Sequence, residues 1–415
     1  MKLFFSAGEP SGDIHAAALM RKLRERQPDI QFIGFGGDNM RHAGCNLIAD
    51  LTKFAIMWLT QAVAQYFTLR KLLNEAKKYL RQKDIDAVIL VDYPGFNWHV
   101  AKLAKKYGIP VFYFMPPQIW SWARWRIHKM RRNVDVVLAP LKFEQLWFEQ
   151  HGVKSVFIGH PFFEEIATKE SNREFLEKFY KKYGATPIIT ILPGSRVQEI
   201  NANIDDFILA IEYVKEIIPN IQPIFAAYNQ NIATIIHNRL NELNAIIPII
   251  TGQTTELIRA ADCCLAVSGS VSLELLACNK PTVVYYKIGK IPLLIQRFFR
   301  RTKYITLVNL LAINAQQNNN STQSLFYNET EFPIPAEPSQ NDRDKMIFPE
   351  FLTAKDRSKD AAAYIVHWLT NQKELAAQKR RLATLLRKVD KIESPLNLAA
   401  NTIIDFIKNN KIIRE

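Results

Sequence analysis

Lys2-Leu3-Phe4-Phe5-Ser6-Ala7-Gly8-Glu9-Pro10-Ser11-Gly12-Asp13 is the stretch on which the fold turns. Its first six residues form a short apolar run, the size of a strand buried in a parallel sheet. Ile14 to Leu23 then carries apolar residues at helical spacing. Strand, glycine turn and helix in succession predict a doubly wound α/β domain, and such sheets build ligand sites outside the carboxyl ends of their strands. Gly8 and Gly12 let the backbone turn tightly and a ligand come close. Ser11 and Asp13 are residue types that cap helices. Acidic groups at Glu9 and Asp13 repel a phosphate, so the turn suits a hydroxyl-rich partner such as a sugar, unless it is an ordinary βα turn.

The same rhythm continues outward from this point. Gln31–Phe35, Ala87–Val91, Val111–Phe114, Val134–Ala139 and Ser155–Ile158 read as strands with helical segments between them. After a polar helical stretch, a second set begins at Pro187–Leu192 and continues through Ile221–Ala226, Ile246–Ile250, Cys263–Val267 and Pro281–Tyr286. Two doubly wound domains facing a cleft are therefore expected, spanning 1–163 and 164–359. Residues 314–348 lack periodicity and include Gln316-Gln317-Asn318-Asn319-Asn320-Ser321. They read as a flexible insertion, longer than connections usually are. Residues 360–415 are helical by pattern and are expected to pack back on the N-terminal domain.

The 415 residues suit two domains, and 48% hydrophobic content supplies two cores. A net charge of +14 points to an anionic partner: nucleic acid, nucleotide substrates or an anionic membrane surface. Cys45, Cys263, Cys264 and Cys278 show no metal spacing and fit small buried residues in a reducing compartment. The apolar start is interrupted at Gly8-Glu9, and no stretch has the length of a membrane span. A cytoplasmic protein, at most peripheral to a membrane, is expected.

Several segments can carry chemistry. Asp92 ends a buried strand, where it either serves as a general base or caps the next helix. Gly194-Ser195-Arg196 opens the second domain's first βα turn. There helix N–H groups and a guanidinium fork suit a diphosphate, with Glu199 placed to orient Arg196. Ser268-Gly269-Ser270 follows another strand, with Glu274 a turn further on to take ribose hydroxyls. His160 stands alone between Gly159 and Pro161, and His15 lies beside the first turn. Trp120-Ser121-Trp122-Ala123-Arg124-Trp125-Arg126 is dense in aromatic and basic groups and fits a loop over an anionic or sugar substrate. Ile56-Met57-Trp58-Leu59 and Leu293-Leu294-Ile295 with Arg297, Phe298, Arg300 and Arg301 combine apolar and basic groups. Each is either an interfacial membrane contact or a core-facing helix with a basic edge.

Taken in order, these motifs resemble the lipid-A-disaccharide synthases, a family of inverting glycosyltransferases. The resemblance rests on Ala7–Asp13, Gly36-Gly37, Asp92-Tyr93-Pro94-Gly95-Phe96-Asn97, Pro117–Trp122, Gly159-His160-Pro161, Leu192–Arg196 with Glu199, Ser268–Ser270 with Glu274, and Asn309-Leu310-Leu311. It implies a GT-B architecture of two Rossmann-like domains. It also implies transfer of 2,3-diacylglucosamine from its UDP donor to 2,3-diacylglucosamine 1-phosphate (lipid X), with no metal or cofactor. Asp92 matches the family's essential Asp. Gly194, Ser195, Arg196, Glu199, Ser268, Gly269, Ser270, Glu274 and Asn309 match the donor side. Glu9, Ser11, Gly12, Asp13, Asn97, Trp120, Trp122 and His160 are expected on the acceptor side. The lipid substrates imply an anionic membrane surface as partner and exclude a nucleic acid role, with room left for an oligomer. The chain departs from the family's pattern at the polar insertion, at Ser394-Pro395 and at Ala123. Rival readings are another GT-B enzyme acting on UDP-N-acetylglucosamine, a basic nucleic-acid binder, or an idle membrane adaptor.

Overall fold

The computed structural model describes residues 1–53, 62–82, 84–269, 271–316, 322–327, 333–335, 338–389, 392 and 394–412. The chain divides into two compact units, Met1–Glu164 with Ile392–Glu415, and Glu165–Lys391. The helices used below are α1 (Pro10–Arg26), α2 (Asp38–His42), α3 (Pro94–Lys106), α4 (Val197–Ile217), α5 (Lys290–Phe299), α6 (Leu307–Gln316) and α7 (Pro395–Ile412).

The first unit holds a seven-stranded sheet in the order β3-β2-β1-β4-β5-β6-β7. These strands are β1 (Lys2–Ala7), β2 (Gln31–Gly36), β3 (Cys45–Asp50), β4 (Ala87–Val91), β5 (Val111–Phe114), β6 (Val136–Ala139) and β7 (Ser155–Phe157). All pairings are parallel. β4, β5 and β6 are buried throughout, as strands covered on both faces must be. The second unit holds a six-stranded parallel sheet in the order β10-β9-β8-β11-β12-β13. Its strands are β8 (Ile188–Leu192), β9 (Gln222–Ala227), β10 (Ile249–Thr251), β11 (Cys263–Ala266), β12 (Thr282–Lys287) and β13 (Glu350–Thr353). This is the two-domain α/β arrangement of the GT-B class.

Two expectations about the C-terminal half need correction. The 360–415 segment does not pack as one piece. Ala361, Ala362, Ile365, Trp368 and Leu375 join the core of the second unit, under α4. α7 returns to the first unit, where Leu396, Ala399, Ala400, Ile403, Ile404 and Ile407 pack with Ala16, Met20 and Leu23 of α1. Both stretches are amphipathic helix, and the partner face differs. The 314–348 stretch is also not a free loop over its described parts. Asn314, Leu325, Phe326, Tyr327, Ile334, Met346, Ile347 and Phe348 are buried. The polar composition of its middle masked these apolar anchors.

Candidate functional site

In the first sheet β1 and β4 lie side by side while their connections leave in opposite directions, which is the topological switch point of such sheets. The register pairs Ala7 with Val91, so the Gly8–Asp13 turn and Asp92 emerge next to each other. Asp92 and Tyr93 both have a φ of 44°, a left-handed backbone that costs non-glycine residues energy. The strained pair is held in place by its carbonyl. Asn97 Nδ2 donates to the Asp92 carbonyl at 2.7 Å, and the Tyr113 hydroxyl donates to the same oxygen at 2.7 Å. A Cβ on Gly8 would stand 2.2 Å from the Tyr93 ring, so this packing requires glycine.

The Asp92 carboxyl is pushed up to about 6, chiefly by burial and then by the negative charge of Glu9; the Tyr93 backbone N–H and His15 act in the opposite direction. His15 and His160 meet edge to face, with ring centroids 6.4 Å apart. Burial, with help from His15, pulls His160 down to about 3, and its Nδ1 accepts the Phe162 backbone N–H at 3.3 Å. His160 is therefore neutral near pH 7, with its proton on Nε2. Glu9 is half-buried, Ser11 is exposed and Gly12 is buried at the start of α1. Glu9, not Ser11 or Asp13, occupies the N-cap, and Pro10 takes the first helical position, where its missing N–H costs nothing.

Three acceptor-side expectations fail on hydrogen bonding. Asp13 is buried and accepts from the backbone N–H groups of Gly37, Asn39 and Met40 at 2.7, 3.0 and 3.1 Å, and from Asn39 Nδ2 at 2.9 Å. Its carboxylate is spent on the start of α2. Asn97 is fully buried and donates to the carbonyls of Ser6 and Val91 as well as Asp92, while its Oδ1 accepts from Ser6 Oγ at 2.6 Å. It ties β1 to β4 and touches no open space. Trp120 is fully buried, and its indole N–H donates to Glu144 Oε1 at 2.8 Å. Trp122, by contrast, is 46% exposed.

The second sheet repeats the arrangement between β8 and β11. The Val267 N–H donates to the Leu192 carbonyl at 3.0 Å, which sets the 193–196 and 268–269 turns beside each other. Gly194 has a φ of +106°, and a Cβ there would meet Glu199 Oε2 at 2.9 Å. Arg196 is the N-cap of α4, its side chain 76% exposed, and its Nη1 lies 2.9 Å from Glu199 Oε1. Ser195 and Gly269 are exposed as well. The Ser268 hydroxyl donates to the Ile305 carbonyl at 3.3 Å. Glu274 accepts from the Thr255 hydroxyl at 2.6 Å, and Thr255 accepts from Lys169 Nζ at 2.8 Å. Tyr286 was missed by sequence reading. Its hydroxyl is raised by burial and by Glu199, while Arg196 opposes the shift. Its place near the end of β12, on the ligand side of the sheet, is the signal that could have found it.

Asn309 is a further correction. It is fully buried, its Nδ2 donates to the Phe348 carbonyl at 2.8 Å and Glu350 Oε2 at 2.9 Å, and its Oδ1 accepts the N–H groups of Ile347 and Phe348 at 2.9 Å each. All its capacity goes to holding Ile347, Phe348 and Glu350 to α6, so here it serves as a brace.

Of the expected membrane contacts, Ile56, Met57, Trp58 and Leu59 lie outside the described residues, as does Ser270 of the donor side. α5 buries none of its residues, and Leu294 and Ile295 are each 51% exposed, with Phe298 at 39% and Leu293 half-buried. The basic flank differs from expectation. Arg297 Nε donates to the Ile334 carbonyl at 2.8 Å, and Arg300 and Arg301 are half-buried, with Arg300 lowered by burial. Leu325, Tyr327 and Ile334 engage this flank through backbone hydrogen bonds to Lys303, Arg301 and Arg297. Among the described residues no helix is long and apolar enough to cross a membrane, and no group of three or more His, Cys, Asp and Glu side chains is placed to hold a metal.

A family model described as lipid-A-disaccharide synthetase matches residues 3–328. Lipid-A-disaccharide synthase 1 of Legionella pneumophila (strain Lens) is 30% identical over 411 residues, covering 97% of each chain. The lipid-A-disaccharide synthase of Syntrophus aciditrophicus (strain SB) is 34% identical over 307 residues, 74% of this chain and 80% of the relative. Among solved structures, UDP-GlcNAc 2-epimerase from Neisseria meningitidis superposes with a TM-score of 0.57 at 12% identity, covering 99% of this chain and 100% of that one. A glycosyltransferase from Rickettsia africae ESF-5 gives 0.54 at 13% identity, covering 98% and 97%. These structures share the fold. The sequence matches go further: the chain belongs to the lipid-A-disaccharide synthase family and is a glycosyltransferase enzyme.

Proposed function

We propose that this enzyme transfers 2,3-diacylglucosamine from UDP-2,3-diacylglucosamine to the 6-hydroxyl of lipid X, giving the β-1,6-linked disaccharide 1-phosphate and UDP. The observation that carries this reading is Asp92, a half-buried carboxyl on a strained turn at the switch point of the first sheet. In the reaction the acceptor O–H proton goes to the Asp92 carboxylate and the oxygen bonds to C1 of the donor sugar. The C1–O bond to the diphosphate breaks from the opposite face, inverting the centre, and its electron pair leaves with UDP. Ser195, Arg196 and the N–H groups opening α4 receive the leaving charge. Glu199 holds the guanidinium at the turn, and Glu274 takes the ribose hydroxyls.

The test is UDP release by purified protein, with and without lipid X, in detergent and EDTA. Release that needs lipid X and persists in EDTA is expected. An Arg196→Ala arm is expected to weaken UDP binding by about 10- to 100-fold, in line with a lost charge-assisted contact to phosphate. No lipid X-dependent release overturns the reading, and unchanged UDP affinity overturns the role of Arg196.

The acyl chains of both substrates explain an exposed apolar helix, so in this reading α5 docks on an anionic bilayer at the cytoplasmic face of the inner membrane. Replacing Leu294, Ile295 and Phe298 by Ser is expected to cut flotation with anionic phospholipid vesicles at least about 10-fold, since each buried apolar side chain is worth about 1.5–3 kcal/mol. Undiminished flotation removes α5 from the docking surface.

A further inference from the structure

We propose that Arg126, lying over the Trp122 ring, takes the phosphate of the acceptor sugar and so sets a preference for a phosphorylated acceptor. The proposal rests on the substrate assignment above and adds a subsite to it.

The loop that carries Arg126 begins beside the base. Val91 pairs with Phe114, and the Asp92 N–H faces the Met115 carbonyl at 3.3 Å. From there the chain is anchored from beneath. Trp120 is buried edge to face on Phe143 at 5.0 Å and bonded to Glu144, and Ala123 is fully buried. The turn closes with the Arg126 N–H on the Ala123 carbonyl at 2.8 Å. This presents Trp122 and Arg126 on a fixed loop rather than a loose one.

Arg126 stands with its guanidinium 4.7 Å above the centre of the exposed Trp122 ring. It is half-buried, and among the described residues no carboxylate pairs with it. Arg124, its neighbour, is engaged by the Trp120 carbonyl at 3.2 Å. A half-buried guanidinium without a counter-ion is suited to an incoming anion, and its planar fork matches phosphate oxygens. The charge of Arg126 reaches Tyr113, whose hydroxyl holds the Asp92 carbonyl. It is not among the charges acting on the Asp92 carboxyl itself, so it can attract phosphate without pairing with the base. The acceptor needs this separation. Its 6-hydroxyl and its 1-phosphate sit at opposite ends of one sugar ring. A base that takes the proton at one end requires its anion-binding group about one sugar away, on an adjoining loop.

The test compares two acceptors, lipid X and the 1-O-methyl glycoside of 2,3-diacylglucosamine, which lacks the phosphate. Wild-type enzyme is expected to favour lipid X in kcat/KM by about 10-fold or more. Arg126→Gln is expected to bring the two acceptors within about threefold, through the acceptor KM, with kcat and the donor KM kept. Arg126→Lys, which keeps the charge without the fork, is expected to retain part of the preference. A preference kept in Arg126→Gln, or an equal loss with both acceptors, overturns the subsite. A wild-type enzyme that uses both acceptors equally overturns it too. Wild-type enzyme that releases UDP with neither acceptor overturns the substrate assignment, and the subsite falls with it.

Discussion

Asp92→Asn is expected to slow transfer by about 10²- to 10⁴-fold while leaving UDP affinity intact, the loss that follows removal of a general base. Asn is the fitting replacement because it tolerates a left-handed backbone, and Asp92 has a φ of 44°. The turn, the Asn97 bond and the Tyr113 bond to its carbonyl all survive the change. The same variant is expected to be more stable than wild type. The Asp92 carboxyl is raised from a usual 3.8 to about 6 in the folded chain, so the folded state holds its proton more tightly than the unfolded state. Stability therefore falls as pH rises from about 4 to about 6, and the deficit is complete above that. At pH 8 the variant should gain about 1–3 kcal/mol over wild type, converging near pH 4. Paired thermal melts at the two pH values check this. The wild-type kcat/KM should rise through an acid limb near pH 6. Wild-type turnover in Asp92→Asn removes Asp92 as base, and equal stability at pH 8 removes the burial argument.

The second large effect belongs to Asn309→Ala, and it is expected in stability and not in nucleotide affinity. The substitution deletes bonds to Phe348 and Glu350 and leaves the N–H groups of Ile347 and Phe348 without their acceptor. Buried unpaired groups cost about 1–3 kcal/mol each, so a loss of roughly 3–5 kcal/mol follows. For a unit of this size that lowers the melting temperature by roughly 10 °C. Isothermal titration with UDP at a temperature where the variant stays folded should return the wild-type affinity. A weakened affinity with an unchanged melting temperature would restore Asn309 to the donor site.

Asn309 also shows where sequence reading stops. Both switch points were legible, because fully buried parallel strands read as unbroken apolar runs and their carboxyl ends point to the ligand side. Asp92, Gly194, Arg196 and Glu199 were placed at those strand ends that way, and the Arg196–Glu199 contact follows from helical spacing. A motif does not say which of its polar side chains faces a ligand and which ties down backbone. Asp13 caps a helix whose N–H groups come from Gly37 and Met40, and Asn97 is claimed by Ser6. Those partners are distant in sequence, so no local pattern announces them. The edge strands β3 and β13 were missed for another reason. Their half-exposed residues lack the apolar run of the central strands.

The return of α7 to the first unit bears on how the protein is made. Residues 165–391 form a separate unit placed within the first one's sequence. On the ribosome the first sheet emerges early, yet the strip of α1 around Ala16, Met20 and Leu23 waits for Leu396 to Ile407 before it is covered. At about 5–20 residues per second, the intervening stretch takes on the order of tens of seconds to synthesise. For that interval the nascent chain displays an uncovered apolar face while its second half folds. Translation speed and chaperone access are thereby tied to the yield of active enzyme, and truncation near the C-terminus should aggregate the N-terminal unit rather than merely shorten it.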